Sequence, residues 1–184
     1  MWGVAGLWHD RRADGVTIPL ASLLLLNIVV ATLFTRRSAP TRVANVIEQL
    51  LVLPSVAVGP FVLFRSPSFS IWGWLPSIAF CVGAVFASWS LFALGRSFSI
   101  FPAIRQLRSW GTYAWMRHPV YAGELLMVVA AAATRFDGWS ILLVIVGVVT
   151  TGARVLIEES VLRTGSEYDE YCARVRWRLL PGVW

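Results

Sequence analysis

The chain has 184 residues, about one domain's worth, of which 57% are hydrophobic and only 14% charged, against roughly 25% charged in a typical soluble domain. That balance excludes a water-soluble globule of this size and makes lipid the solvent for most of its surface. The net charge is +6, but the sixteen basic residues, all arginine, are spread between apolar runs rather than gathered on one polar helix, which argues against a nucleic-acid partner.

Residues 1–15 are mixed in charge. Residues 16–34 carry no charge over 19 positions, enough to cross a hydrocarbon core of about 30 Å. No A-x-A cleavage pattern follows, so this stretch reads as an uncleaved first span. Arg36, Arg37 and Arg42 mark a short basic loop. The second span covers 43–64, with Glu48 near its start and kinks expected at Pro54 and Pro60. The third covers 71–94 and opens on Trp72 and Trp74, residues expected at a headgroup boundary.

From 95 to 118, Arg96, Arg105, Arg108 and Arg117 are interleaved with Phe98, Ile100, Phe101, Ile104 and Leu107. The pattern predicts an amphipathic connector helix lying in the interface. Pro119 suits the first turn of a fourth apolar helix over 120–134, only about 15 residues long and barely able to cross. A turn at Arg135, Asp137 and Gly138 leads to a fifth run over 139–157, and the two form a helical hairpin. The charged tail, 158–184, carries a short cytosolic helix.

The expected fold is an all-α integral membrane protein of about five transmembrane helices, a single membrane domain over 1–184. It divides into three N-terminal spans (1–94), the connector (95–118), and the hairpin and tail (119–184). Twelve arginines fall on the side of the connector and tail and four on the other. The excess places the C-terminus in the cytosol and the N-terminus outside, in a bacterial inner membrane. It also puts the polar residues around 117–124 and 154–159 at one membrane face.

Several residues there could carry chemistry. A helix opening at Pro119 offers free backbone N–H groups and a positive dipole end beside His118 and Tyr121. Tyr121 and Glu124 share a helix face, with Glu124 about 8 Å inside. Carboxylates within a span are costly and by default mark a pocket; for Glu124, and more so for Glu48, the other reading is a side chain that snorkels or accepts a hydrogen bond from an interfacial arginine. Arg154 and Glu158 can pair at i,i+4, while Glu159 points about 100° away, so one glutamate can be spent on Arg154 and the other stay free. With only His9, His118, Cys81 and Cys172, neither a metal site nor a disulfide framework is expected.

Taken together, Gly111-x-Tyr113, Arg117-His118-Pro119-x-Tyr121-x-Gly123, Arg154-x-x-x-Glu158-Glu159-x-x-Leu162 and Tyr168-x-x-Tyr171-x-x-Arg174, with Pro181, resemble the isoprenylcysteine carboxyl methyltransferase family, within the group that includes phospholipid methyltransferases. The resemblance spans roughly residues 94–181, and Thr112 departs from it where proline is usual. It implies S-adenosylmethionine as donor, with S-adenosylhomocysteine as product, and a hydrophobic or prenylated acceptor in the bilayer. That acceptor is expected to be a carboxylate; a phospholipid amine, a fatty acid and an isoprenoid acid remain open. His118, Pro119, Tyr121 and Gly123, with Arg117 and Glu124 beside them, would hold the cofactor together with Glu158, Tyr168 and Tyr171. Arg154, Glu159 and Arg178 would be catalytic, the arginines orienting an anionic acceptor. Two other readings are an NADPH-dependent sterol-reductase-like oxidoreductase, compatible with Gly123-Glu124 and Tyr171-Cys172, and a non-enzymatic membrane scaffold.

Overall fold

The computed structural model describes residues 3–36, 38–40, 42–99, 103–104, 107–164 and 167–184, with side chains from Ile18 onward except at 42–43 and 103–104. Arg37, Ile100, Phe101, Arg105 and Gly165 lie outside the described residues, as do the side chains of His9, Arg11, Arg12, Arg42 and Ile104.

Five apolar helices dominate: α1 (Gly3–Arg36), α2 (Val46–Arg65), α3 (Trp74–Leu94), α4 (Pro119–Ala133) and α5 (Gly138–Leu162), followed by the short α6 (Tyr168–Arg174). Among the described residues, four stretches are long and apolar enough to cross a membrane: Ile18–Arg36, Val46–Arg65, Trp74–Ser97 and Gly138–Leu162. The 15 residues of α4 reach only about 22 Å, short of the roughly 30 Å core. The chain is an all-α membrane protein, as its composition dictates.

Local chemistry sets the helix ends. Asn45 caps α2 with a full capping box: its Oδ1 accepts from the Glu48 N–H at 2.8 Å, and its own N–H donates to Glu48 Oε2 at 2.7 Å. Glu48 is therefore a capping group rather than a pocket carboxylate, and α2 starts three residues later than its apolar run. Gly95, at φ +54°, ends α3 in a conformation other residues rarely adopt. Asp137 caps α5 by accepting from the Ser140 N–H at 2.8 Å, and it also pairs with Arg135 and Arg65 at 3.2 and 3.5 Å. Those contacts hold its carboxyl below the usual range, the Ser140 backbone bond most of all.

Two expectations need correction. Among its described residues the connector is not an α-helix: it runs through 3-10 turns at Gly95–Ser97 and Gly111–Ala114 and a two-residue strand, β2 (Ala103–Ile104), antiparallel to β1 (Arg42–Val43). The reason is in the chain, which holds Pro102 and glycines at both ends of the segment. Of the tryptophan pair, Trp74 is exposed, but Trp72 is buried against Phe69 and Phe80 and donates to the Pro67 carbonyl at 2.9 Å.

Helix α4 sits at the centre, against α3, α5 and α2, while α1 packs on α3. Lipid offers no hydrophobic drive for helix association, so close van der Waals fit must supply it. Gly83 and Gly123 make that fit: a Cβ on either would lie 2.7 Å from the other's carbonyl oxygen. The connector, the 36–45 loop and the tail gather at one end, where the Ser38 N–H bonds the Arg96 carbonyl at 2.9 Å.

Candidate active site

The tail folds back to the mouth of α4. The Arg117 and His118 N–H groups donate to the Trp177 and Arg178 carbonyls at 2.9 and 2.8 Å, an extended pairing that brings α6 and the 175–184 segment beside the end of α5. The Arg117 guanidinium extends this clamp, donating to the Val175 and Arg176 carbonyls at 2.8 and 2.9 Å.

Glu159, only 3% exposed, is the centre of the clamp. It accepts from Arg117 at 2.8 Å and from Arg178 Nε at 3.1 Å to each oxygen. His118 Nε2 lies 3.4 Å away, outside hydrogen-bonding geometry. Burial lowers the Arg117 pKa, but Glu159, with Cys172 and Tyr168 beside it, raises it by more and holds the guanidinium charged.

Glu158 takes a different part. The Tyr121 hydroxyl donates to it at 2.6 Å, and His118 Nδ1 stands 3.9 Å from the same oxygen. The His118 ring stacks on Tyr121 at 5.5 Å, and the buried Arg154 guanidinium lies 4.6 Å from the centre of the Tyr121 ring. Arg154 also reaches Ser55 at 3.4 Å. Tyr121 touches both members of the expected Arg154–Glu158 pair. The glutamate spent on arginines is Glu159, whose partners are Arg117, Arg178 and, at 4.0 Å, Arg163.

These groups border a cavity of about 550 Å³. Its polar end is lined by Tyr113, Arg117, His118, Glu158, Tyr168 and Tyr171, with Tyr121, Glu124 and Arg154 beside them; the rest of the lining is mostly apolar. Glu124 sits on a wall dense with protein atoms, yet its side chain is accessible, because it faces the cavity. Burial pushes the Tyr113, Tyr168 and Tyr171 hydroxyls up, so all three stay neutral at physiological pH. Tyr171 donates to the Tyr113 carbonyl at 2.8 Å. The Tyr168 hydroxyl, His118 Nε2 and Arg108 Nε are buried without a hydrogen-bond partner among the described residues, although all three residues line the cavity.

Eight of the expected site residues thus meet at one cavity: Arg117, His118, Tyr121, Glu124, Arg154, Glu158, Tyr168 and Tyr171. Four lie off it. Pro119 is fully buried at the first turn of α4, Gly123 faces α3, and Glu159 and Arg178 form the clamp behind the wall. Sequence reasoning passed over Asn27, Ser55, Thr151 and Arg108, which also line the cavity. Asn27, a polar side chain amid an uncharged span, was the one detectable signal.

The phospholipid methyltransferase family model matches residues 71–165, just over half of the chain and the stretch that carries α3, α4 and α5. The chain belongs to the phospholipid methyltransferase family. That family is related to the isoprenylcysteine carboxyl methyltransferases, and membership points to a membrane methyltransferase. No curated protein matches the chain. In phospholipid methyltransferase terms, His118, Tyr121, Glu124, Arg154, Glu158 and Glu159 lie inside the matched stretch, while Tyr168, Tyr171 and Arg178 lie beyond it.

Proposed function

We propose that the protein is an S-adenosylmethionine-dependent methyltransferase acting at the cytosolic membrane face on a lipidic acceptor, with a carboxylate as in isoprenylcysteine methylation the expected nucleophile. The observation that carries this reading is one cavity joining a polar cluster to the apolar interior of the bundle. The residues fit the cofactor: cavity-lining carboxylates at Glu124 and Glu158 suit a cation, tyrosine rings suit a flat heterocycle, and buried donors at His118 and Tyr168 lack partners.

When bound, the cofactor supplies an electrophilic methyl group on a sulfonium. The chain's own part is positioning. Glu158, held by Tyr121, offers negative charge at the polar end, and Arg154 can orient an anionic head. A site closed to bulk water does not penalise a transfer in which opposite charges cancel. The remaining rate gain comes from holding donor and acceptor in line. Glu159 and Arg178 act through Arg117 and the tail rather than by touching reactants.

Incubating purified protein with methyl-labelled S-adenosylmethionine and a total lipid extract, then analysing lipids by mass spectrometry, tests the reading. Label in a lipid, reduced about tenfold or more in Glu158→Gln, is expected. Label in no lipid would contradict it.

A further inference from the structure

We propose that Thr151 is a specificity-determining residue of the acceptor site: its hydroxyl hydrogen-bonds an oxygen carried close behind the acceptor's methylated end, so that the protein selects hydroxy- or oxo-substituted lipid acids over unsubstituted ones. The inference rests on the function proposed above, in particular on an anionic head held at Arg154; the anomaly at Thr151 does not.

Hydroxyls inside apolar helices have a usual outlet. With no water at hand, a serine or threonine turns back and donates to a carbonyl of the preceding turn. Every other described serine and threonine within the five apolar helices does so, from Ser22 on α1 to Ser160 on α5, the accepting carbonyl lying three to five residues back. The neighbouring Thr150 donates to the Val146 carbonyl at 2.7 Å and also reaches the Gly147 carbonyl at 3.3 Å. Thr151 is the exception, and its hydroxyl makes no hydrogen bond to any described residue. Yet Thr151 is only 8% exposed, and it lines the cavity. A buried hydroxyl without a partner is costly, and valine would give the same shape without that cost. The unused group points to an occupant of the cavity.

Its place on α5 says which part of the occupant it meets. Glu158, Arg154, Thr151 and Gly147 follow one another along the face that α5 turns to the cavity. Arg154 and Thr151 are three residues apart, about 4.5 Å along the axis. An extended chain advances about 3.5 Å over three bonds, so an atom at Thr151 lies within about four bonds of one at Arg154. One turn further on the wall tightens: a Cβ added at Gly147 would lie 3.3 Å from Val58 Cγ1, and Val58 and Val128 are buried there.

Ser55 is no substitute. Its proton goes to the Val52 carbonyl at 2.7 Å, and its oxygen faces Arg154 at 3.4 Å. Thr151 keeps a proton to give and lone pairs to receive. A hydroxyl on the acceptor satisfies both, a carbonyl oxygen takes the proton, and a methylene leaves the threonine unpaired. Thr151 takes no part in the transfer itself. The new C–O bond forms at the carboxylate as the C–S bond of the sulfonium breaks, the electron pair stays on sulfur, and no proton is released.

The test offers the full-length protein in detergent equal amounts of hexadecanoic, 3-hydroxyhexadecanoic and 16-hydroxyhexadecanoic acid together with methyl-labelled S-adenosylmethionine. Ratios of the methyl esters at low conversion, read by mass spectrometry, give the ratios of kcat/KM. The 3-hydroxy ester should lead both others by about fivefold or more. In Thr151→Val the lead should shrink to within about twofold, with S-adenosylhomocysteine affinity, measured by calorimetry on the same samples, kept within about twofold of wild type. Thr151→Ser, which keeps the hydroxyl, should retain the lead. A purely structural threonine, or one that only holds a water, would move all three esters alike. Equal esters in the wild type, a lead that survives Thr151→Val, or no ester from any acid while S-adenosylhomocysteine still binds would overturn the proposal and leave the methyltransferase reading standing. No S-adenosylhomocysteine binding by the wild type would end that reading, and this inference with it.

Discussion

Glu158 and Glu159 are adjacent in sequence, yet one borders the cavity and the other is sealed behind it. Their spacing on a helix states that they diverge; only the tertiary contacts state which way. Those contacts give Glu159 a structural load, since Arg117, itself 9% exposed at the side chain, has no other carboxylate within ion-pair distance among the described residues. Removing one member of a buried ion pair leaves the other charged and unpaired, typically at a cost of about 3–5 kcal/mol. Glu159→Ala should therefore lower the thermal midpoint in detergent strongly, and Arg117→Ala, which leaves Glu159 its bonds from Arg178, should lower it less. Tyr121→Phe, which loses only a hydroxyl at the cavity edge, should leave the midpoint nearly unchanged while weakening S-adenosylhomocysteine binding. A stable Glu159→Ala protein with intact binding would contradict this division of labour. At this scale the motifs identified the polar end of the cavity but little of its apolar lining, because Arg-His-Pro-x-Tyr and Glu-Glu carry unusual polarity into apolar surroundings. Pro119, Gly123, Glu159 and Arg178 share those motifs but serve packing and clamping, a distinction that spacing does not encode.

Helices were legible wherever hydrophobic length decided the outcome. Their ends were legible only where a cap was recognised: Asn45 and Glu48 form a capping box that the apolar run alone overlooked, and Glu48 changes meaning with it. The connector shows the converse, for alternating arginine and apolar residues mimic an amphipathic helix although Pro102 and the flanking glycines oppose one. Helix pairing was not legible, because glycines in an apolar run do not announce which neighbour they approach. The Gly83–Gly123 crossing makes a direct prediction. Gly123→Ala would drive a methyl to 2.7 Å from the Gly83 carbonyl oxygen and 2.9 Å from the Ala87 nitrogen, forcing α3 and α4 apart. Overpacking of this kind costs about 1–3 kcal/mol, and the displaced α4 also carries His118, Tyr121 and Glu124. Thermal unfolding should show the loss, and S-adenosylhomocysteine affinity should fall with it; a variant of wild-type stability would mean that the helices do not cross this closely.

Across the whole molecule, the two ends of the bundle differ in kind. At one end Arg65, Arg135 and Asp137 make a small ion cluster beside Trp139. At the other, the connector, the tail clamp and the polar mouth of the cavity come together. From the twelve-to-four division of arginines we propose that the second end faces the cytosol, where a soluble methyl donor is available. A fluorescent protein fused after Trp184 should fold and fluoresce in the bacterial inner membrane, while alkaline phosphatase inserted between α2 and α3 should be active; the reverse pattern would invert the orientation. The central claim is that the mouth of this cavity binds the methyl donor, and calorimetric titration tests it most directly. S-adenosylhomocysteine should bind the purified protein at one site per chain, with affinity reduced about tenfold or more in Glu158→Gln, and NADPH should not bind. Binding of NADPH with no binding of S-adenosylhomocysteine would contradict the account.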